Sequence, residues 1–436
     1  MTISCQSPTS TSTTDAATYS VTYNANGSIS GSPPIESMKF HSGDIVTVLG
    51  NTNLTEPWYS FGGWNTAPDQ SGAYYAAGSS FAMGSSNVTL YALWGGTVTT
   101  LAGNGTWGDA NGTGTSASFK LPNDVAVDSS GNVYVTDSGN NVIRKITPAG
   151  VVTTLAGSGA AGANNGTGTA ASFNDPGCLT VDSFGNVYVT DPLNQLIRKI
   201  TPGGLVSTLA GSGAQGAANG AGTEASFNFP GGIAVDSSGT VYVADTYNNM
   251  IRMITSSGVV STFAGTGVKG FQNGSVLSAT FNEPIGLALD AAGNLYVADT
   301  FNQVVRKITH DGTVSTFAGG GGGGPGDGGA GGYGSGFKNG LGPAAAFWDP
   351  VSVAVDSPGN LYVVDLMNQQ IRKITPTGVV TSLAGAWPII NGIYSPVEGS
   401  TNGVGPAATF TDPTGIAVDS SGNVYVAEWY LIRKIQ

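Results

Sequence analysis

The stretch that decides the fold is VAVDSSGNVYVTDSGNNVIRKITPAGVVTTLAG, residues 125–157. It recurs four more times, and the Asp that ends its VYVTD segment appears in turn as Asp137, Asp191, Asp245, Asp299 and Asp365. A sixth copy, IAVDSSGNVYVAEWYLIRKIQ at 416–436, stops before its own VVTTLAG segment. The missing segment stands ahead of the first repeat, as TVTTLAG at 97–103.

Each copy holds four short strand patterns separated by turn signals. Alternating apolar residues mark the strands, and Asp-Ser-Ser-Gly and Thr-Pro-x-Gly mark tight turns. Four-stranded antiparallel units repeated around an axis form a β-propeller. We therefore predict an all-β fold with a closed six-bladed propeller over residues 96–436. The strand at 97–103 should pair beside 430–436 as a clasp that closes the ring and protects the edge strands.

Composition narrows the class of protein. The chain has 436 residues with 68 Gly and 40% apolar residues, which is typical of a turn-rich globular protein. Only 10% of the residues are charged and the net charge is −12, which disfavours nucleic acid or an anionic membrane as a partner. Eleven of the 15 Lys and Arg lie in the IRK-type segments, so no basic patch is expected. No apolar run is long enough for a transmembrane segment.

The repeat resembles the NHL-repeat propellers, as in FNFPGGIAVDSSGTVYVADTYNNMIRMIT at 227–255. Residues 18–95 carry a different pattern, with YSVTYNANG (19–27), FGGWNTAPDQSG (61–72) and VTLYALW (88–94). This part resembles the internalin-type B-repeat, also called the Listeria–Bacteroides repeat. The resemblance implies a small β-grasp-like module of a bacterial surface protein.

Residues 1–17 are rich in Ser and Thr and are predicted to be a flexible tether. Thr2-Ile3-Ser4-Cys5 resembles the end of a lipobox, which implies lipid attachment at Cys5. The alternative is an arbitrary chain boundary with an incidental Cys. With Cys178 as the other cysteine, in an apolar strand pattern and expected to be buried, no disulfide framework is indicated.

An acidic residue and an Arg recur together in every repeat. A short turn places each acid one diagonal step from its Arg on the same sheet face, and blade 6 keeps this register although its turn is shorter. We interpret these as structural ion pairs rather than site residues. The pairs are Asp137/Arg144, Asp191/Arg198, Asp245/Arg252, Asp299/Arg306, Asp365/Arg372 and Glu428/Arg433.

The residues that common catalytic sites need are scarce. The chain has two histidines, His41 and His310, which cannot form a three-His zinc site or a Ser-His-Asp triad within the propeller. The Gly-rich run at 318–336 lacks the features of a phosphate loop and is interpreted as an insertion between blades 4 and 5. No metal and no cofactor is predicted.

The remaining candidate site is the loop face, where the turns between second and third strands meet the long interblade loops. Irregular aromatic residues break the repeat there: Trp107, Tyr247, Phe301, Trp348, Trp387, Tyr394, Trp429 and Tyr430. The residues before the Pro of each first strand are Leu121, Asp175, Phe229, Glu283, Asp349 and Asp412. We predict a binding site at the mouth of the central channel, formed by Asp175, Glu283, Asp349, Asp412, Trp348 and Trp429.

Two interpretations of these carboxylates stay open. Four of them in one ring would attract a cation or a polyhydroxylated ligand. Alternatively each caps a neighbouring loop amide, since residues before Pro tend to be extended. The favoured function is a non-catalytic, monomeric surface or secreted protein of a bacterium that presents the propeller to a protein or carbohydrate ligand. The rival is a hydrolase or lactonase with a metal in an acidic central pocket.

Overall fold

The computed structural model describes residues 17–26, 28, 30–55, 59, 61–68, 73–320, 335–386, 389–390, 393–394 and 396–436. Two compact units are present. The first lies within residues 17–55 and 61–94, and the second comprises residues 95–436 with a short piece around Tyr59. The proposed lipid site Cys5, the tether up to residue 16, residues 321–334 and the side chains of Trp387 and Tyr394 lie outside what is described.

The first unit is built on a mixed four-stranded sheet. Val21–Asn24 runs parallel to Val88–Trp94, which pairs antiparallel with Phe61–Asn65, and Tyr74–Tyr75 forms the edge. Two further strand pairs complete it, Thr18–Tyr19 with Phe40–His41 and Ile45–Thr47 with Ser80–Ala82. Its core is centred on the fully buried Trp64, whose ring meets Tyr23 edge-on at 4.7 Å.

The second unit is a six-bladed β-propeller. Every blade is an antiparallel sheet whose first strand lies nearest the axis, because first strands of adjacent blades contact each other. The first strands are Pro122–Val127, Leu179–Val181, Pro230–Val235, Pro284–Leu289, Pro350–Val355 and Pro413–Val418. The second strands are Val133–Asp137, Val187–Asp191, Val241–Asp245, Leu295–Asp299, Leu361–Asp365 and Val424–Glu428. The third strands are Val142–Ile146, Leu196–Ile200, Met250–Ile254, Val304–Ile308, Gln370–Ile374 and Leu431–Ile435.

The fourth strands show how the ring closes. In blades 1 to 5 they are Val151–Ala156, Leu205–Ala210, Val259–Ala264, Thr313–Gly319 and Val379–Ala384. Blade 6 takes its fourth strand from Thr97–Ala102, which pairs antiparallel with Leu431–Ile435. The predicted propeller with its N-terminal clasp is confirmed.

Each blade has one strand more than the four expected from the repeat. A two-residue outer strand pairs with the fourth strand and makes every sheet five-stranded. These outer strands are Gly112–Thr113, Gly166–Thr167, Gly220–Ala221, Gly274–Ser275, Gly340–Leu341 and Gly403–Val404. The sequence expectation missed them because two residues are too few to show an alternating pattern. One more small pair joins Ile389–Ile390 to Ile393–Tyr394.

The helical segments among the described residues are ten single 3-10 turns. Five follow the outer strands, at Gly114–Ser116, Gly168–Ala170, Gly222–Glu224, Gly342–Ala344 and Gly405–Ala407. Five link second to third strands, at Ser138–Asn140, Pro192–Asn194, Thr246–Asn248, Thr300–Asn302 and Leu366–Asn368. In the described part of the chain, no helix has the length and apolar character needed to cross a membrane.

The core lies between blades rather than within them. Six clusters of buried apolar residues occur, one at each blade interface, including the interface between blades 6 and 1. The tyrosine of each second strand contributes to them, as Tyr134 does by packing against Phe173 and Val187 of blade 2. Burial of apolar surface at all six interfaces therefore stabilises the closed ring.

Candidate functional site

The recurring acid and Arg of each blade are in contact and out of solvent. Their N–O distances are 2.5–2.8 Å, and the side chains are at most 1% exposed. In blade 1 the Asp137 carboxylate also accepts from the Lys120 backbone N–H, and the Arg144 guanidinium donates to the Ser118 and Ala110 carbonyls. The guanidinium lies over the Phe119 ring at 5.2 Å. These groups fasten the incoming loop to the sheet; their structural rather than ligand-binding role stays a prediction.

The later blades repeat this contact with their own residues. Arg252 donates to Asp245 at 2.7 Å in blade 3, and Arg306 donates to Asp299 at 2.8 Å in blade 4. In blade 6 Arg433 donates to the longer Glu428 at 2.5 Å, so the Glu makes up for the shorter turn. The second guanidinium nitrogen of each donates to a loop asparagine: Asn219 for Arg252, Asn273 for Arg306 and Asn402 for Arg433.

The expected ion pairs do not satisfy the arginines completely. The buried Nε atom of each has no hydrogen-bond partner among the described residues, and it lies where the guanidinium covers a phenylalanine ring. The six arginines are Arg144, Arg198, Arg252, Arg306, Arg372 and Arg433. The cation–π contact with the ring partly offsets the cost of this unused donor.

Burial controls the ionisation of the paired acids. It raises the pKa of Asp137 above its ordinary value, although Asn140, the Lys120 N–H and Arg144 act in the opposite direction. In blades 4 and 5 the burial effect raises the pKa of Asp299 and Asp365 to about 6. Each of these carboxylates is hydrogen-bonded by groups of its own blade and its incoming loop.

An axial cavity of about 200 Å³ runs between the six first strands. Its lining combines apolar side chains and backbone with the side chains of Cys178, Thr180 and Ser352, and Asp124 is the one carboxylate among its described lining residues. Asp124 stands where the other blades carry Cys178, Gly232, Gly286, Ser352 and Gly415. A Cβ at Gly232 would approach the Ile285 carbonyl oxygen to 2.0 Å, so adjacent strands nearly touch at this level.

Asp124 and Cys178 are neighbours at the narrow end of this cavity. The Asp124 carboxylate accepts from the Leu179 N–H at 3.0 Å, and the Cys178 thiol lies beside it. Burial raises the pKa of Asp124 to about 7. Burial next to Asp124 also raises the pKa of the Cys178 thiol, which therefore stays protonated. Cys178 is half-buried rather than fully buried as its strand pattern had suggested, because it faces open space on the axis.

A second cavity, of about 320 Å³, opens on the loop face across blades 1 to 4; we call it the loop-face cavity. Asp175 and Glu283 supply carboxylates to its wall, and Phe229, Tyr247 and Phe301 supply aromatic rings. The rings of Phe229 and Tyr247 stack with centroids 5.0 Å apart and planes 23° apart. Cys178 belongs to the lining of both cavities, so it lies between them.

The residues of the six ion pairs belong to neither cavity. No paired acid and no paired arginine is among the described residues that line the axial cavity or the loop-face cavity. Arg252, Arg306 and Arg433, like their counterparts in the other blades, are fully buried within their sheets. Of the predicted site residues, Trp348 does contact an ion pair, because its backbone N–H donates to the Asp365 carboxylate, but no ion pair lines either cavity.

The loop-face cavity exists because two blades lack a side chain at one position. The residue after the Pro of the first strand is Gly177 in blade 2 and Gly231 in blade 3. The other blades carry Asn123, Ile285, Val351 and Thr414 there. A Cβ at position 231 would come within 2.6 Å of the Thr246 hydroxyl oxygen, so an Ile there must shift that hydroxyl before its side chain can fill part of the cavity. Blade 4 has Ile285 at the position of Gly231 and Thr300 at the position of Thr246. The fold therefore accepts an Ile beside a Thr at these two positions.

The six residues before these prolines do not have the extended backbone expected for them. All six are left-handed, with φ between 44° and 55°. In five of them the N–H donates to the side-chain oxygen of an Asn or Gln that ends the 3-10 turn of the preceding blade. At Leu121, in blade 1, the N–H donates to the Trp429 carbonyl. The contact with the preceding blade therefore stabilises a left-handed backbone conformation that the residue before proline would not adopt from local preference alone.

The length of that Asn or Gln side chain determines whether its amide nitrogen can also bind the carboxylate of the residue before proline. Gln303 and Gln369 also donate, through Nε2, to the carboxylates of Asp349 (2.8 Å) and Asp412 (3.2 Å). Asn141 is one methylene shorter, and its amide nitrogen donates to the Gly159 carbonyl instead. Within the described residues no group hydrogen-bonds the Asp175 carboxylate.

The predicted ring of four carboxylates therefore divides into two pairs. Asp349 and Asp412 are held by glutamines and do not line the loop-face cavity, whereas Asp175 and Glu283 do. Glu283 has an ion-pair contact with the half-exposed Lys269, at 3.5 Å. Although Asp175 is exposed at the rim, partial desolvation raises its pKa above the ordinary value.

The two tryptophans predicted for the site lie elsewhere. Trp348 is partly buried, and its backbone N–H donates to the Asp365 carboxylate at 2.7 Å. Trp429 is 40% exposed and packs against Tyr430, which in turn neighbours Trp107. Neither tryptophan lines the loop-face cavity. Their role in ligand binding stays a hypothesis.

Several residues that line the axial cavity or the loop-face cavity were not predicted, although the sequence contains a signal for them. Gly177, Gly231 and the Asp124–Cys178 pair each break the repeat at a first-strand position where the remaining blades differ. A comparison of the six copies position by position would have found these breaks. Among the described residues, no group of three or more His, Cys, Asp or Glu side chains is placed to hold a metal ion.

Comparison with known proteins identifies the parts of the chain. Residues 19–93 match the Listeria-Bacteroides repeat domain, and residues 119–146 and 227–252 match the NHL repeat. Human NHL repeat-containing protein 2 is 28% identical over 59% of this chain and 38% of its own length. The Arabidopsis thaliana protein SUPPRESSOR OF QUENCHING 1, chloroplastic, is 27% identical over 59% of this chain and 24% of its own. The chain thus spans well under half the length of these relatives.

Solved structures show the same fold. A structural genomics protein of unknown function from Bacteroides thetaiotaomicron aligns with a TM-score of 0.59 at 19% identity, over 89% of this chain and 86% of that one. A protein described as an auxiliary nutrient binding protein, from the same organism, aligns with a TM-score of 0.57 at 15% identity, over 80% and 79% of the two chains. The chain therefore carries a Listeria-Bacteroides repeat domain at 19–93, followed by NHL repeats that form a six-bladed β-propeller.

Proposed function

We propose that this protein is a non-catalytic binding protein, of the bacterial surface or secreted, that takes its ligand in the loop-face cavity. The observation that carries the proposal is the cavity itself. It combines stacked aromatic rings with the Asp175 carboxylate, which no described residue hydrogen-bonds. A concave, largely apolar site with few convergent polar groups is the usual form of a small-molecule site.

The location part of the proposal has two supports. The front domain matches a repeat named for Listeria and Bacteroides, and two structural neighbours from Bacteroides are described as auxiliary nutrient binding proteins. We propose the same general role, capture of an external small molecule, for this chain. Lipid attachment at Cys5 and a monomeric state remain part of the proposal.

A cavity-filling variant tests the binding site. Gly231→Ile places in blade 3 the side chain that blade 4 carries beside an equivalent threonine, and Val351→Ile is the matched control in a blade that does not line the cavity. Both variants are screened by thermal shift against soluble compounds that include oligosaccharides, amines, carboxylic acids and neutral alcohols. We expect ligands that stabilise the parent and Val351→Ile, but not Gly231→Ile. Ligands that stabilise all three proteins equally would contradict the site.

The rival function is a hydrolase or lactonase with a metal on the axis. Calorimetric titration with Ca²⁺, Mg²⁺, Mn²⁺ and Zn²⁺ separates the two. Tight stoichiometric binding that is lost in Asp124→Asn would favour the rival, because Asp124 is the one carboxylate that the described lining of the axial cavity contains. We expect no such binding from a ligand-capturing propeller.

A further inference from the structure

Some polar groups of the loop-face cavity are already hydrogen-bonded within the protein, and others are available to a ligand. Ser138 and Thr246 face it, but their hydroxyl groups donate to the Pro176 and Pro284 carbonyls. The Asp175 carboxylate, by contrast, is an acceptor with no partner among the described residues. The other side-chain donors of the lining, the Asn123 amide, the Tyr247 hydroxyl and the Cys178 thiol, are neutral, so the charged groups that a ligand meets in this cavity are carboxylates.

The distribution of charged residues also favours a cationic ligand. None of the described residues that line the cavity is Lys or Arg. The nearby Lys269 is held between the Glu283 carboxylate at 3.5 Å and the Phe301 ring at 5.6 Å. That contact already shows an ammonium group between a carboxylate and an aromatic ring at the edge of the cavity. The chain as a whole carries a net charge of −12, which raises the local concentration of cations.

From this geometry we propose that the ligand is an organic cation, an amine or quaternary ammonium group on a small apolar body. Its nitrogen lies against the Asp175 carboxylate, and its apolar part lies against the stacked Phe229 and Tyr247 rings. Aromatic faces attract such cations, and the attraction grows when the site excludes water. The inference rests on the proposed function, because it names the ligand class of the same cavity.

The repeat itself supplies a variant that neutralises the site without filling it. Asn141→Gln gives blade 1, opposite Asp175, the longer amide that Gln303 and Gln369 use to bind Asp349 and Asp412. The new amide should donate to Asp175 and remove its free acceptor. Gln303→Asn is the reverse change: it releases Asp349, which does not line the cavity, and so serves as the matched control. Asp175→Asn is a second test with no change in length.

The experiment is titration calorimetry with choline and with 3,3-dimethyl-1-butanol, its neutral counterpart of equal shape. We expect choline to bind at least roughly tenfold more tightly, a difference of about 1.4 kcal/mol. Asn141→Gln and Asp175→Asn should remove most of this preference, and Gln303→Asn should keep it. The choline affinity should also fall as salt is raised.

Two failures have different meanings. If neutral compounds or sugars bind and are lost in Gly231→Ile, while choline shows no preference, the cation inference is overturned and the site stands. If choline binds with the same affinity to the parent, Asp175→Asn and Gly231→Ile, both the cation inference and the loop-face site are overturned.

Discussion

The Asp124 carboxylate of blade 1 accepts a hydrogen bond from the Leu179 N–H of blade 2, at 3.0 Å. It thereby joins the first strands of blades 1 and 2. The titratable group that faces it is the Cys178 thiol, and no cationic side chain of the described residues compensates its burial. This contact should make stability depend on pH.

Replacing Asp124 by Asn removes the ionisation and keeps the acceptor for Leu179. Below about pH 4 both proteins are neutral at this position. Between pH 4 and 7 the unfolded Asp ionises while the folded Asp124, with a pKa of about 7, keeps its proton, so the parent loses stability as pH rises. The loss by pH 8 is on the order of 4 kcal/mol. Melting temperatures at pH 4.5, 6 and 8 should show the variant gaining on the parent, and a constant difference would refute the shift.

Arg198→Met should destabilise the propeller by roughly 3–5 kcal/mol, because it leaves the Asp191 carboxylate buried without its cation. Lys199→Met is the control: it alters the adjacent residue, and blade 3 already has Met253 at that position. Urea unfolding should show a lower midpoint for Arg198→Met and a nearly unchanged one for Lys199→Met. Equal midpoints for the two variants would mean that the ion pair is not structural.

Val98→Ala tests the strand that closes the ring. Val98 is 1% exposed in blade 6, and Val152 has the same place and the same exposure in blade 1. Each truncation should cost about 2 kcal/mol, from lost burial and the cavity left behind. Unfolding followed by circular dichroism should give similar losses for both. A silent Val98→Ala beside a destabilising Val152→Ala would show that the clasp contributes little.

Leu121→Asn should stabilise the protein by up to about 1 kcal/mol, because Asn tolerates the left-handed conformation better than Leu. Leu121 has a φ of 51° and is 38% exposed, so the change relieves backbone strain at little cost in burial. Leu205→Asn, at an exposed strand position without positive φ, should be neutral or destabilising. A lower melting temperature for Leu121→Asn than for Leu205→Asn would contradict this explanation.

The propeller could be predicted because its information is repeated six times. The displaced TVTTLAG segment alone was enough to predict the pairing of 97–102 with 431–435. The outer strands were missed because they are held by their pairing with the fourth strand rather than by an alternating pattern of their own. The left-handed residues before proline were missed because a contact from the preceding blade overrides the local preference.

The candidate site was harder to predict because it depends on what is absent. Asp175 and Asp349 look equivalent in sequence, yet the second is bound by a glutamine and the first is left open by an asparagine one methylene shorter. The cavity beside Asp175 depends on Gly177 and Gly231, which carry no side chain to attract notice. Residues that break the repeat by adding a ring or a charge stand out in the sequence, whereas residues that break it by removing volume do not.

The pairing of Thr97–Ala102 with Leu431–Ile435 also orders events during synthesis. A ribosome makes the first of these strands before any blade and the second after all the others, so blade 6 cannot form until almost the whole propeller has been made. Until then, blades 1 to 5 can pack on one another as an open arc, with an unpaired strand at its start and an uncovered blade face at each end. The nascent chain is therefore most exposed to wrong partners just before blade 6 is complete, and that final strand converts a vulnerable arc into a closed ring in which each blade face is covered by its neighbour.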